Sequence, residues 1–123
     1  MIKNTIISLI ASETGSDRAK FSWFKPAKGQ FQIYYKLGTE QPEYVPDFVA
    51  ETDSAIFMVE TKARTDINTQ EVQAKAAAAA RWCKHASNHA ATVGIKPWRY
   101  LLVSHDEITE SKQLIDFIRF EVK

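Results

Sequence analysis

Two neighbouring segments of this 123-residue chain have the composition of β-strands yet carry charge where a buried strand should carry none. The first runs from Tyr44 to Ala50 and holds the pair Pro46-Asp47 among apolar residues. The second runs from Ala55 to Ala63 and is apolar on both faces until Glu60-Thr61-Lys62. A strand buried on both faces lies in the middle of its sheet. Burying an ion there without a partner is expensive, so any fold for this chain must bring partners to these charges.

The rest of the chain supplies the elements around that pair. Residues 2–12 form a helix, with Ile2, Thr5, Ile6, Leu9 and Ile10 at helical spacing. Gly15-Ser16-Asp17 breaks it. Phe31 to Tyr35 alternates and is rich in β-formers, which predicts a first strand ahead of the two charged ones. Asn68 with Glu71 has the spacing of a capping box, opening a helix that runs to about His89 with Val72, Ala76, Ala79, Cys83 and Ala86 on one face. Trp98 to Val103 is a fourth strand, and the strand–helix–strand order predicts a parallel pair with a right-handed crossover. A last helix over residues 110–121 is expected to turn Leu114, Ile115, Ile118 and Phe120 or Val122 to the core. The order α-β-β-β-α-β-α describes an α/β chain (mixed α+β), a central mixed sheet flanked by helices. Its length fits one domain, residues 1–123.

Charge and cysteine content narrow the setting. The formal net charge is +1, so only local clustering of basic residues can serve nucleic acid. Cys83 is the one cysteine, which rules out an internal disulfide and suits a reducing, cytoplasmic protein. No apolar run reaches the length of a membrane span.

On a strand alternate side chains share a face, so Glu60 and Lys62 point one way and Thr61 the other. Asp47 lies on the preceding strand, and a twist or bend is expected to bring it to Glu60. Two carboxylates with a lysine beside them suit Mg²⁺, which binds through one or two carboxylates plus substrate phosphate. Such a metal lowers the pKa of a bound water and offsets transition-state charge. Lys62 then positions or deprotonates that water, or steadies the developing charge. The backbone carbonyl of Thr61 is a further ligand for the metal.

Pro46-Asp47 followed by Glu60-Thr61-Lys62 resembles the signature of the PD-(D/E)xK nuclease superfamily. The surroundings add to it: Trp23-Phe24-Lys25-Pro26, Gln30 to Tyr35, Lys75 to Ala79 with Trp82-Cys83, and Lys96 to Asp106 occur in that order. Across roughly residues 20 to 120 the chain is similar to the C-terminal endonuclease domain of the Res subunit of type III restriction enzymes. The resemblance implies a restriction-endonuclease-like fold. It also implies a Mg²⁺-dependent deoxyribonuclease in which Mn²⁺ can substitute, with Asp47 and Glu60 as metal ligands and Lys62 as the catalytic lysine. The partners it implies are double-stranded DNA, a helicase/ATPase domain of the same parent chain, and a modification or specificity subunit. The chain has no Gly-x-x-x-x-Gly-Lys-Ser/Thr segment, so it reads as the nuclease fragment of a larger helicase-nuclease chain. Many superfamily members add an acidic residue on the first helix, and the placement of Glu13 does not match it.

Several other features carry weaker expectations. Lys25, Lys28, Arg64 and Lys75 are candidates to contact DNA phosphates, since such contacts supply most non-specific affinity. His85 and His89 are spaced i, i+4, but Cys83 is on another face and no metalloprotease glutamate follows. His105-Asp106 has no matching nucleophile and is assigned to a loop or a helix entry. Trp23, Trp82 and Trp98 are read as packing residues. The alternative function is a catalytically silent DNA-binding or docking module that retains the nuclease fold.

Overall fold

The computed structural model describes residues 2–12 and 21–123, without the side chain of Ile2. The expected break at Gly15-Ser16-Asp17, and Glu13, lie outside the described residues. The chain is a mixed α/β structure. Helix α1 (Ile2–Ala11) precedes strands β1 (Ser22–Phe24), β2 (Ile33–Tyr34), β3 (Glu43–Tyr44), β4 (Phe48–Glu51) and β5 (Ile56–Lys62). A short helix α2 (Arg64–Ile67) leads into the long α3 (Gln70–Thr92), then β6 (Trp98–Ser104), a 3₁₀ turn at His105–Glu107, and α4 (Leu114–Ile118).

The main sheet has the order β1-β4-β5-β6, and β2-β3 form a separate two-stranded sheet. β4 and β5 are antiparallel neighbours, while β6 runs parallel to β5 across the whole of both strands. β5 is therefore central, as its apolar run predicts.

Alternation along β5 sends its side chains to two cores. Phe57 and Val59 join Phe48, Ala50, Leu101 and Val103 beneath α1 and α4, where Ile6, Ile10 and Phe117 are wholly buried. Met58 faces the other way with Tyr100 and Leu102, against Val72, Ala76, Ala79 and Cys83 of α3 and Ile33, Tyr35 and Tyr44 of the small sheet. The alanines let α3 lie close on the sheet. Trp82, Trp98 and Phe31 close this second core with edge-to-face contacts at centroid distances of 4.9–5.7 Å.

Four expectations are corrected. The strand from Tyr44 to Ala50 is two strands in two sheets, because Pro46 has no N–H for the ladder and the chain changes direction there. The strand at residues 31–35 shrinks to Ile33–Tyr34, since Gln32 has φ 56° and cannot continue a strand. Ser22–Phe24, an exposed aromatic run, takes the sheet position beside β4 instead. Helix α3 is capped by the Thr69 hydroxyl, which accepts from Val72 N–H, while Asn68 closes α2. It extends past His89 to Thr92 and stops at Gly94, whose φ of 72° suits the left-handed turn there.

The last helix is also shorter than expected. Leu114 and Phe117 are buried, whereas Ile115 is 72% exposed. Beyond Ile118 the chain pairs with the outer edge of β6 instead of continuing the helix. Leu102 N–H donates to the Phe120 carbonyl at 3.3 Å, and Val122 N–H to the Tyr100 carbonyl at 3.0 Å. The Arg99–Glu121 ion pair, at 2.7 Å, fastens this segment.

Candidate active site

The register of β4 and β5, with a bend at Asp47, brings the two acids together. Pairing runs from Glu51↔Ile56 to Phe48↔Val59. One step further along this ladder, Asp47 faces Glu60, and the next step sets Pro46 against Thr61. Proline stops the ladder at that step, so β5 continues with β6 alone beside it and its end forms one arm of a fork.

Asp47 fills the gap that β4 leaves. Its Oδ2 accepts from the Thr61 N–H at 2.8 Å and from the Thr61 hydroxyl at 3.0 Å. Its Oδ1 lies 3.2 Å from Lys3 Nζ. Glu60 is divided in the same way. Its Oε1 accepts from the Tyr44 hydroxyl at 2.9 Å and from the Asp47 N–H at 3.0 Å. Its Oε2 is 3.1 Å from Lys62 Nζ. Each acid thus has one oxygen fixed by two hydrogen bonds and one oxygen facing a lysine.

Tyr44 and Tyr100 extend the network inward. Their hydroxyls are 2.9 Å apart, and with Tyr44 donating to Glu60, Tyr100 donates to Tyr44. Burial, above all, pushes both phenols far above their ordinary range, so both remain protonated donors. Glu60 is 5% exposed. Burial and then the negative charge of Asp47 raise its pKa, against the Tyr44 hydrogen bond and Lys62. Burial pulls the Lys62 pKa down, but Glu60, Asp47 and Asp66 outweigh it and hold the ammonium above its ordinary value.

The residues at the fork suit a hard divalent cation. In a strand, the N–H and C=O of one residue point to the same edge. The Thr61 carbonyl therefore faces the side on which β4 has ended, opposite a proline with no N–H to offer. Together with Asp47 Oδ1 and Glu60 Oε2 it makes an all-oxygen donor set, the kind Mg²⁺ prefers. Among the described residues, no three acidic, histidine or cysteine side chains gather in one place. The oxygens that could hold a cation here are two carboxylates and a main-chain carbonyl.

The basic candidates separate. Lys62 joins the acids. Arg64 does not: its guanidinium is bidentate on Asp106, at 2.6 and 2.9 Å, and reaches Glu107 at 3.2 Å. Lys75 pairs with Glu71 at 3.2 Å and stands over the rings of Tyr35 and Tyr44, 5.5 and 5.9 Å from their centroids. Lys25 and Lys28 are exposed in the segment after β1. Cys83 is buried, its thiol pushed up to about 12 by burial and by Glu121, whereas His85 and His89 are exposed. Asp106 is occupied by Arg64 and by the Ser104 hydroxyl.

Three residues of the fork went unread in the sequence. Tyr44 and Tyr100 look like ordinary strand aromatics, and nothing local marks their hydroxyls as a pair. Lys3 sits far from Asp47 along the chain, yet a signal existed. The buried face of α1 keeps Ile6 and Ile10 of the expected stripe and adds Ile7 and Ala11, while Thr5 and Leu9 are half-buried at its margin. Lys3 stands three and four residues ahead of Ile6 and Ile7, on that same face. The chain matches no protein-family model, and no curated protein matches it in sequence.

Proposed function

We propose that this chain is a metal-dependent endonuclease domain of the PD-(D/E)xK kind, hydrolysing DNA phosphodiester bonds in a type III-like restriction system. The observation that carries this reading is the meeting of Asp47, Glu60 and Lys62 at the fork, with the Thr61 carbonyl beside them. In this reading Asp47 Oδ1, Glu60 Oε2 and the Thr61 carbonyl hold Mg²⁺ or Mn²⁺. When bound, the cation supplies a water of lowered pKa and positive charge against the transition state.

The chain's own groups do the rest. Thr61 and Tyr44 fix one oxygen of each acid, so the other oxygens are presented in a set orientation. Lys62, beside both acids, positions or deprotonates the attacking water, or steadies the developing phosphate charge. Lys25 and Lys28 contribute to a DNA path. A motor domain of the same parent chain and a separate specificity subunit complete the proposed assembly, in the cytoplasm. Among the described residues no helix is long and apolar enough to cross a membrane.

Plasmid nicking tests the proposal. Mg²⁺ or Mn²⁺ should support it, EDTA should stop it, and Asp47→Asn, Glu60→Gln and Lys62→Met should each remove it while the circular dichroism spectrum is kept. Equal cleavage by wild type and Lys62→Met sinks the reading. One observation favours the second reading, a silent DNA-binding or docking module: Lys3 and Lys62 already balance both acids without a metal. That reading expects duplex binding that ignores EDTA and Asp47→Asn.

A further inference from the structure

Lys3 is unassigned in the reading above, and its position is unusual. It continues the core-facing stripe of α1, where Ile6 and Ile10 are 0% exposed, but it carries an ammonium. That ammonium meets Asp47 Oδ1, the oxygen that Thr61 leaves over. Glu60 Oε2 carries Lys62 in the same manner. The two oxygens offered to a cation are thus each held by a lysine, and the lysines come from different elements of the fold.

We propose that Lys3 is a second substrate-positioning lysine of this site, held on Asp47 until a divalent cation takes Oδ1 and then turned to the phosphate of the bound strand. This rests on the endonuclease reading and names a residue that reading lacks. A divalent cation at Asp47 repels the ammonium and removes its partner. The helix cannot follow, because Ile6, Ile7 and Ile10 anchor it in the core. Lys3 therefore stays beside the fork on a long, half-exposed stem, and the anion that arrives there is a phosphodiester. An ammonium on a flexible stem suits such a change of partner better than a rigid guanidinium fork.

Two binding measurements on the whole chain test this without reference to cleavage. In calorimetric titration, Lys3→Met should bind Mn²⁺ about twofold to fivefold more tightly than wild type, the factor a partly exposed ion pair can impose. In Ca²⁺, the anisotropy of a labelled DNA duplex should show Lys3→Met binding about twofold to fivefold more weakly, with Lys3→Arg close to wild type. Unchanged Mn²⁺ affinity in Lys3→Met, or unchanged duplex affinity, overturns the role given to Lys3 and leaves the endonuclease reading standing. If wild type, Lys3→Met and Asp47→Asn all fail to bind Mn²⁺, both fall. Lys3 is 48% exposed, so the methionine variant keeps the stem of the side chain, and urea unfolding confirms that it folds.

Discussion

Two charged clusters sit at the ends of the parallel neighbours β5 and β6, and they have opposite characters. At the fork, Asp47 and Glu60 are drawn into the sheet, and each keeps an oxygen that, among the described residues, meets a lysine. In the turn after β6, exposed Asp106 and half-buried Glu107 collect Arg64, Lys112 and Arg119. The Glu60 pKa is raised, by burial first, whereas Asp106 falls from 3.8 to about 2, chiefly through its hydrogen bonds from Arg64 and Ser104. The same residue types therefore do different work. In the proposed reading the buried, adjacent carboxylates await a stronger cation, while the acids after β6, already held by arginine, form a clasp nearer the surface.

The largest contrast is expected in cleavage. Lys62→Met should lower metal-dependent nicking by at least about a hundredfold, the usual loss when one transition-state donor is removed. Arg64→Met, two residues away, should leave nicking unchanged. A comparable loss in both would erase the distinction between the clusters.

Tyr44→Phe comes next. It removes the donor to Glu60 and the acceptor for Tyr100, leaving buried groups unpaired at a cost of about 1–3 kcal/mol in urea unfolding. An unchanged midpoint would mean that the tyrosine chain does not support the fork.

The pH dependence then separates the clusters by sign. Glu60 has a raised folded pKa, so the stability it contributes is present below its ordinary value of 4.5 and is lost as pH rises through the raised value. Glu60→Gln should thus gain on wild type as pH rises, read as the difference in urea midpoint across a pH series. Asp106 has a lowered pKa, so its contribution is present above 3.8 and fades as pH falls towards 2. Asp106→Asn should flatten that acid loss only slightly, because the group is fully exposed. Parallel pH profiles for the two variants would contradict the comparison.

The parts of the fold legible in the sequence are those where burial sets the pattern. β5 shows as a run apolar on both faces, β6 as its parallel partner, and the alanine face of α3 as a close-packing helix. Edges and interruptions were harder to read. Ser22–Phe24 pairs at the margin with its side chains exposed, so it has no inside–outside alternation to detect. Pro46 was visible, but its effect on register depends on which residue lies opposite. Within the candidate site, Asp47, Glu60 and Lys62 follow from charge in an apolar strand. Tyr100 reaches them only through tertiary packing, Lys3 shows only as a charge on the apolar stripe of α1, and the ion pairs that occupy Arg64 depend on a turn far along the chain.

The burial of the Cys83 side chain between α3 and the sheet has a practical consequence. A thiol held near 12 and shielded by the helix gives almost no thiolate at neutral pH, so it is a poor target for maleimide or iodoacetamide dyes. A single cysteine introduced at Trp23, which is half exposed on the outer strand, would then be the one position that labels quickly. Fluorescence from that dye would follow the approach of DNA or another protein to the β1 edge without removing the native cysteine first.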